Sequence, residues 1–162
     1  MPEPPVTVAE ARERLGRALD TLVRFGASRR LHQRQASAAG TAISQQGFRL
    51  LRVIDETGPI TPTELARLTR IDPAVVTRQC RTLADDGLIS RARDEADGRL
   101  STLAATDLGH QTVQRMRLVL NQHMQVALER WGESDVATLA NLLERLEADL
   151  RAIPYPDLPT EP

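Results

Sequence analysis

The sequence contains no lysine: all 21 basic residues are arginine, set against 22 acidic ones for a net charge of −1. A chain so balanced exerts no global field on nucleic acid or an anionic membrane, so affinity for a polyanion has to come from local placement. Cysteine is nearly absent as well. Cys80 alone excludes internal disulfides and cysteine-based metal clusters, which suits a reducing interior. Aromatics are limited to Phe25, Phe48, Trp131 and Tyr155, too few for a sugar-binding platform or a groove that stacks single-stranded bases. No segment approaches membrane-spanning length, and the opening MPEPPVTVAE has no basic region followed by an apolar run. The expectation is a soluble cytoplasmic protein without membrane contact. His32, His110 and His123 have no HExxH or CxxC spacing, no glycine-rich phosphate loop is present, and no serine sits in a nucleophile elbow. No catalytic residue, metal site or cofactor follows, and the chain is not read as an enzyme.

What the chain does have is aliphatic helix-forming sequence: 41% of its 162 residues are hydrophobic, enough to bury a core in one domain. Residues 1–6 and 152–162 are proline-rich and expected to be flexible ends. Thr7 with Glu10 makes a capping box for a long helix carrying Leu15, Leu19 and Leu22 to about residue 36, followed by a loop in ASAAGTA. Ser44 caps a second helix, with Phe48, Leu51 and Ile54 inward, that ends at Gly58-Pro59. Ile60, flanked by Pro59 and Thr61, suggests a one- or two-residue strand. Thr61 and Glu64 form another capping box with Pro62 in the first turn, opening a brief helix that buries Leu65, Ala66 and Leu68. After Thr69-Arg70-Ile71, Asp72 caps the next helix and Pro73 takes its first position, with an end at Gly87.

Leu88–Arg93 and Leu100–Ala105 alternate apolar and polar residues across a DEADG turn, which predicts a β-hairpin. Thr106 caps a helix with Val113, Met116, Leu120, Met124, Ala127 and Trp131 at near-heptad spacing, broken at Gly132. Ser134 starts a last helix with Val136, Leu139, Leu143, Leu146 and Leu150 on one stripe. The fold expected is mainly α with a small β-wing, in the order helix, helix, strand, helix, helix, strand, strand, helix, helix. Its parts are a winged helix-turn-helix lobe over 44–105 and a helical lobe from 7–36 and 107–151.

The Asp72-capped helix carries the chemistry. Val76, Cys80 and Leu83 recur with core spacing, whereas Ala74, Thr77, Arg78 and Arg81 share the other face at i, i+3, i+4 and i+7. Small residues near the N-terminus, an adaptable hydroxyl and two forked donors suit a helix that enters a DNA major groove. A surface helix solvated by arginine has the same composition. The preceding short helix and three-residue turn, and the hairpin that follows with Arg91 and Arg93 on one arm and Arg99 just past its tip, favour the groove. Arg99 is placed to enter a narrow minor groove, with Asp97 as its positioner; a solvated acidic turn is the plainer account of Asp94 and Asp97.

The chain resembles the MarR family of bacterial transcriptional regulators. The resemblance rests on ISxxGFRLL at Ile43–Leu51, TPxELA at Thr61–Ala66, VVTR at Val75–Arg78, and Gly87-Leu88-Ile89 followed by Asp94, Asp97, Arg99 and Thr106-x-x-Gly109. It implies groove and phosphate roles for Thr77, Arg78 and Arg81, and wing roles for Asp97 and Arg99; Pro73, Ala74 and Arg91 complete the candidate DNA-binding set. It also implies a homodimer, built by the first and last two helices, that binds double-stranded DNA. The two-fold predicts a near-palindromic operator with half-sites about 10 bp apart, and repression is the family's commoner habit. Family members usually bind a small aromatic or anionic effector between the lobes, where Arg29, Arg30 and His32 are the candidates; surface solvation is their alternative. Cys80 falls on the buried stripe, without a second cysteine to resolve a sulfenic acid. One departure matters: residues 44–105 hold nine arginines and nine acids, so a winged helix used only for protein interaction is the rival reading.

Overall fold

The computed structural model describes residues 7–93 and 101–153. The chain divides into two compact units, Met1–Leu120 and Asn121–Pro162. In the first, α1 (Val8–Gly26) opens on the expected capping box: the Glu10 amide donates to Thr7 Oγ1 at 3.2 Å and the Thr7 amide to Glu10 Oε2 at 2.8 Å. That Thr7 amide, and after it the Thr7 hydroxyl donating to the same oxygen at 2.8 Å, hold the Glu10 carboxyl below its ordinary pKa. The first helix does not run on to residue 36. It stops at Gly26, and Ser28 caps a separate α2 (Arg29–Ala38), accepting from the Leu31 amide at 3.4 Å. The expected loop begins late for a related reason. Ala36 is buried within α2, and the helix closes only where Gly40, at φ +67°, lets the Thr41 amide reach back to the Ala36 carbonyl, a Schellman closure.

Next come α3 (Gln45–Thr57), α4 (Pro62–Thr69) and α5 (Pro73–Asp85), each starting at the predicted cap. Then β1 (Ile89–Arg93) pairs antiparallel with β2 (Ser101–Ala105), Arg91 opposite Leu103. The short strand expected at Ile60 is a single bridging residue, exchanging backbone bonds of 3.0 and 2.8 Å with Leu103. Helix α5 ends as α2 does: Gly87 takes φ +71° and the Leu88 amide donates to the Leu83 carbonyl at 2.8 Å. This turns the chain so that Leu88 drops into the core and Ile89 starts the hairpin.

The core beneath these elements joins Leu50, Leu51 and Ile54 of α3 to Leu65, Val76, Leu83, Leu103 and Val113. Leu68, expected inside, is 50% exposed. The inward face of α4 is Leu65, Ala66 and Thr69, and the Thr69 hydroxyl hides its polarity by donating to the Leu65 carbonyl at 2.6 Å. Thr106 caps α6 (Asp107–Ala127) through the Gly109 amide at 3.1 Å, while its hydroxyl donates to the Gly87 carbonyl at 2.7 Å. His110 on α6 pairs with Asp55 on α3, and Arg117 with Glu56 at 2.9 Å.

The second unit holds the end of α6 and α7 (Glu133–Ala152). Helix α6 ends at Ala127, so Trp131 lies past it in a turn whose amide donates to the Leu128 carbonyl. The last helix is capped by the Gly132 backbone, with no side-chain bond, instead of by Ser134. Neither α1 nor α7 buries a residue. Leu15, Leu22, Val23 and Phe25 on α1, and Leu142, Leu143 and Leu150 on α7, are exposed.

Candidate nucleic-acid interface

The local sequence fixes where α5 begins. Asp72 Oδ1 accepts from the Ala74 and Val75 amides at 2.9 and 3.3 Å, and Pro73 supplies a preset φ at the first position. Arg70, immediately before, adopts a left-handed conformation at φ 52°, a place glycine usually takes. Its neighbour Ile71 then returns an amide bond to the Ala66 carbonyl at 3.3 Å, which aims α5 away from α4.

Helix α5 is two-sided. Val76, Cys80 and Leu83 are buried at 0, 1 and 2% exposure, whereas Pro73, Ala74, Thr77, Arg78 and Arg81 all face solvent. Thr77 returns its hydroxyl to the Pro73 carbonyl at 2.9 Å. Arg78 and Arg81 make no ion pair with a described residue, unlike Arg17, Arg24, Arg117 and Arg151 on other helices. Arg91 is exposed on β1. Asp94, Asp97 and Arg99 lie outside the described residues.

The three candidate effector residues separate. Arg29 and His32 line a cleft of about 870 Å³ between α2, α3 and α5; Arg30 is not part of its lining. His32 is not a solvated surface residue: it is 7% exposed, with Nε2 2.8 Å from the Ile43 carbonyl oxygen and its ring 6.2 Å from that of Phe48. Sequence reasoning missed Arg49, Arg52 and Gln79 in the same wall. No local pattern marks them, because the cleft is made by packing residues far apart in the chain.

Comparison with known proteins decides the lineage. The MarR family model matches residues 43–101, and the "uncharacterized HTH-type transcriptional regulator YxaD" of Bacillus subtilis is 30% identical over 104 residues, covering 64% of this chain and 73% of YxaD. The chain belongs to the MarR family. The "HTH-type transcriptional repressor IacR" of Pseudomonas putida is 26% identical over 60% of this chain and 58% of its own. FabT of Streptococcus pneumoniae, solved in complex with DNA, shares the fold at a TM-score of 0.68 and 19% identity, over 87% of this chain and 98% of that one. This MarR-family protein is thus a helix-turn-helix transcriptional regulator and not an enzyme. None of its described helices is long and apolar enough to cross a membrane.

In this regulator Cys80 sits at the centre of the core stripe of α5. Burial pushes its thiol up from the ordinary value, partly offset by the Arg91 charge. The thiolate is the reactive form, so alkylation of the native protein is expected to be slow and to rise together with global unfolding in a urea series. Fast labelling in the absence of urea would contradict the packing described for α5.

Proposed function

We propose that this protein is a sequence-specific repressor that binds a near-palindromic operator as a homodimer and is released by a small organic anion. The observation that carries the reading is α5 itself: Thr77, Arg78 and Arg81 exposed opposite a stripe exposed by 2% or less. Buried packing and the Asp72 cap hold that helix rigid while its outer face offers donors for guanine edges and phosphates. The DNA complex of FabT and the name of IacR support the same direction.

The dimer is supported by the exposed apolar residues of α1 and α7, since a monomer seldom leaves such stripes in water. A single small module also discriminates weakly against genomic competitors. Double-stranded DNA places the work in the cytoplasm. Wing contacts by Arg91, Asp97 and Arg99 belong to the proposal, as do effector contacts by Arg29 and His32. Arg29, Arg49 and Arg52 line the cleft beside Phe48 and Ile43, with no aspartate or glutamate in the lining, a setting for an anion on a flat apolar body.

Selection of bound duplexes from random DNA with the purified protein is expected to enrich an inverted repeat with half-sites about 10 bp apart, and sedimentation at micromolar concentration to show a dimer. A monomer that enriches no sequence would overturn the proposal in favour of a protein-interaction module.

A further inference from the structure

The outer face of α5 is less polar over its first turn than its sequence suggests. Pro73 has no N–H to offer. The Ala74 and Val75 amides both donate to Asp72 Oδ1, at 2.9 and 3.3 Å, and the Val76 amide donates to the Asp72 carbonyl at 3.0 Å. The Thr77 hydroxyl is committed as well, donating to the Pro73 carbonyl at 2.9 Å. Every donor of this turn is thus engaged, and the Asp72 carboxylate stands where a helix start would otherwise take a phosphate. Pro73, Ala74 and Thr77 are exposed, and what they have left to present is a ring, two methyl groups and the acceptor capacity of one hydroxyl oxygen. Thr77 follows Ala74 by three residues and Pro73 by four, so the three side chains adjoin on the helix surface. The hydroxyl bond also fixes χ1 of Thr77 and holds its γ-methyl in one staggered position.

We infer that Ala74 and Thr77 read a thymine through its C5-methyl group, so that one position of each operator half-site is recognised by apolar contact and not by the Thr77 hydroxyl. The inference rests on α5 being the DNA-reading helix. Among the acceptors and amino donors of the major groove the thymine methyl is the apolar group, and the methyls of alanine and threonine are suited to meet it. Set against guanine, the same surface would cover the O6 and N7 acceptors with nothing to donate, and an acceptor stripped of water without a partner is costly. The forked donors that guanine needs lie further along the same face, on Arg78 and Arg81. Helix α5 therefore divides its reading, apolar over the first turn and cationic beyond it.

The test uses the full-length protein and its selected duplex, with deoxyuridine replacing thymine one position at a time. That change removes the methyl and keeps every groove donor and acceptor. One thymine in each half-site is expected to respond, its replacement weakening binding about fourfold, the worth of one buried methyl, and replacement in both half-sites about tenfold or more. Thr77→Ser, which keeps the hydroxyl and drops the methyl, is expected to bind the thymine duplex more weakly, with the ratio between thymine and uracil duplexes falling toward one. Thr77→Val, which keeps the methyl and drops the hydroxyl, is expected to stay within twofold of wild type and to keep the response. Thermal unfolding checks that both variants are folded. Uracil tolerated at every thymine of a duplex that is still bound in preference to random DNA overturns the methyl contact and leaves α5 standing as the reading helix. A response to uracil that is unchanged in Thr77→Ser takes the contact away from Thr77. Loss of binding in Thr77→Val with Thr77→Ser at wild-type affinity assigns the position to the hydroxyl and overturns the inference. Failure of the wild type to select any duplex overturns the DNA-reading role of α5 and the inference with it.

Discussion

Gly109→Ala is expected to cost about 3 kcal/mol or more of folding stability, a large share of the 5–15 kcal/mol typical of a domain. In an open helical position the same change is worth up to about 1 kcal/mol in the other direction. Here the added Cβ would stand 2.1 Å from the Leu88 carbonyl oxygen, 3.2 Å from its carbon and 3.3 Å from Leu51 Cδ1. The oxygen is backbone and cannot swing aside: it accepts the Thr106 amide at 3.1 Å, and Leu88 is itself tied to Leu83 at 2.8 Å. Relief therefore requires α6 to move off α3 and the start of the hairpin, opening the core where Leu51 and Val113 are fully buried. Urea unfolding should show a lowered midpoint with little change in slope. Gly16→Ala on α1, where nothing lies within 4 Å of the new carbon, is the control and should be neutral or slightly stabilising. Equal midpoints for wild type and Gly109→Ala would mean that α6 does not seat on Leu88 as described.

The close approach at Gly109 also marks the boundary of what the chain discloses by itself. Most helix starts were legible because a cap is chemistry within four residues: Thr61 with Glu64, and Asp72 with Pro73, need no distant partner, whereas the last helix starts on the Gly132 backbone without a side-chain cap. The Glu64 carboxyl even carries the signature in its acidity, lowered first by its side-chain bond to Thr61 and then by the backbone one. The two faces of α5 were legible too, since a 3.6-residue period sorts them before any tertiary contact exists. Three features were not. The break between α1 and α2 turns on whether Ser28 caps a new helix or rides an old one, and its sequence permits both. The choice of Thr69 over Leu68 for the inside of α4 depends on where α3 lies. Arg49 reaches the Thr69 carbonyl across 20 residues, and an arginine on a helix surface announces nothing about such a partner. The polar groups that shape the cleft belong to this last kind, which is why only Arg29 and His32 among its lining were anticipated.

Arg78 and Arg81 carry the second large expectation: replacing both with alanine should reduce operator affinity about a hundredfold or more. A guanidinium on a base edge is worth about 1–3 kcal/mol of discrimination, and one on phosphate removes about one unit from the dependence of log affinity on log salt. The lobe holds nine arginines against nine acids over residues 44–105, so no surplus of positive charge stands ready to compensate for two lost cations. Its acids are partly occupied elsewhere: Glu64 and Asp72 cap helices, while Asp55 and Glu56 bond to α6. Arg78 and Arg81, by contrast, are exposed and make no ion pair with a described residue. Measuring the single variants against salt separates their roles. The arginine on a base edge should lose affinity for the selected operator but little for unrelated DNA, whereas the one on phosphate should weaken both and flatten the salt slope. Arg145→Ala on the exposed face of α7 serves as the charge-matched control for a single loss and should change neither. Operator binding by the double variant within twofold of wild type would remove α5 as the reading element and leave the protein-interaction alternative as the better account of this lobe.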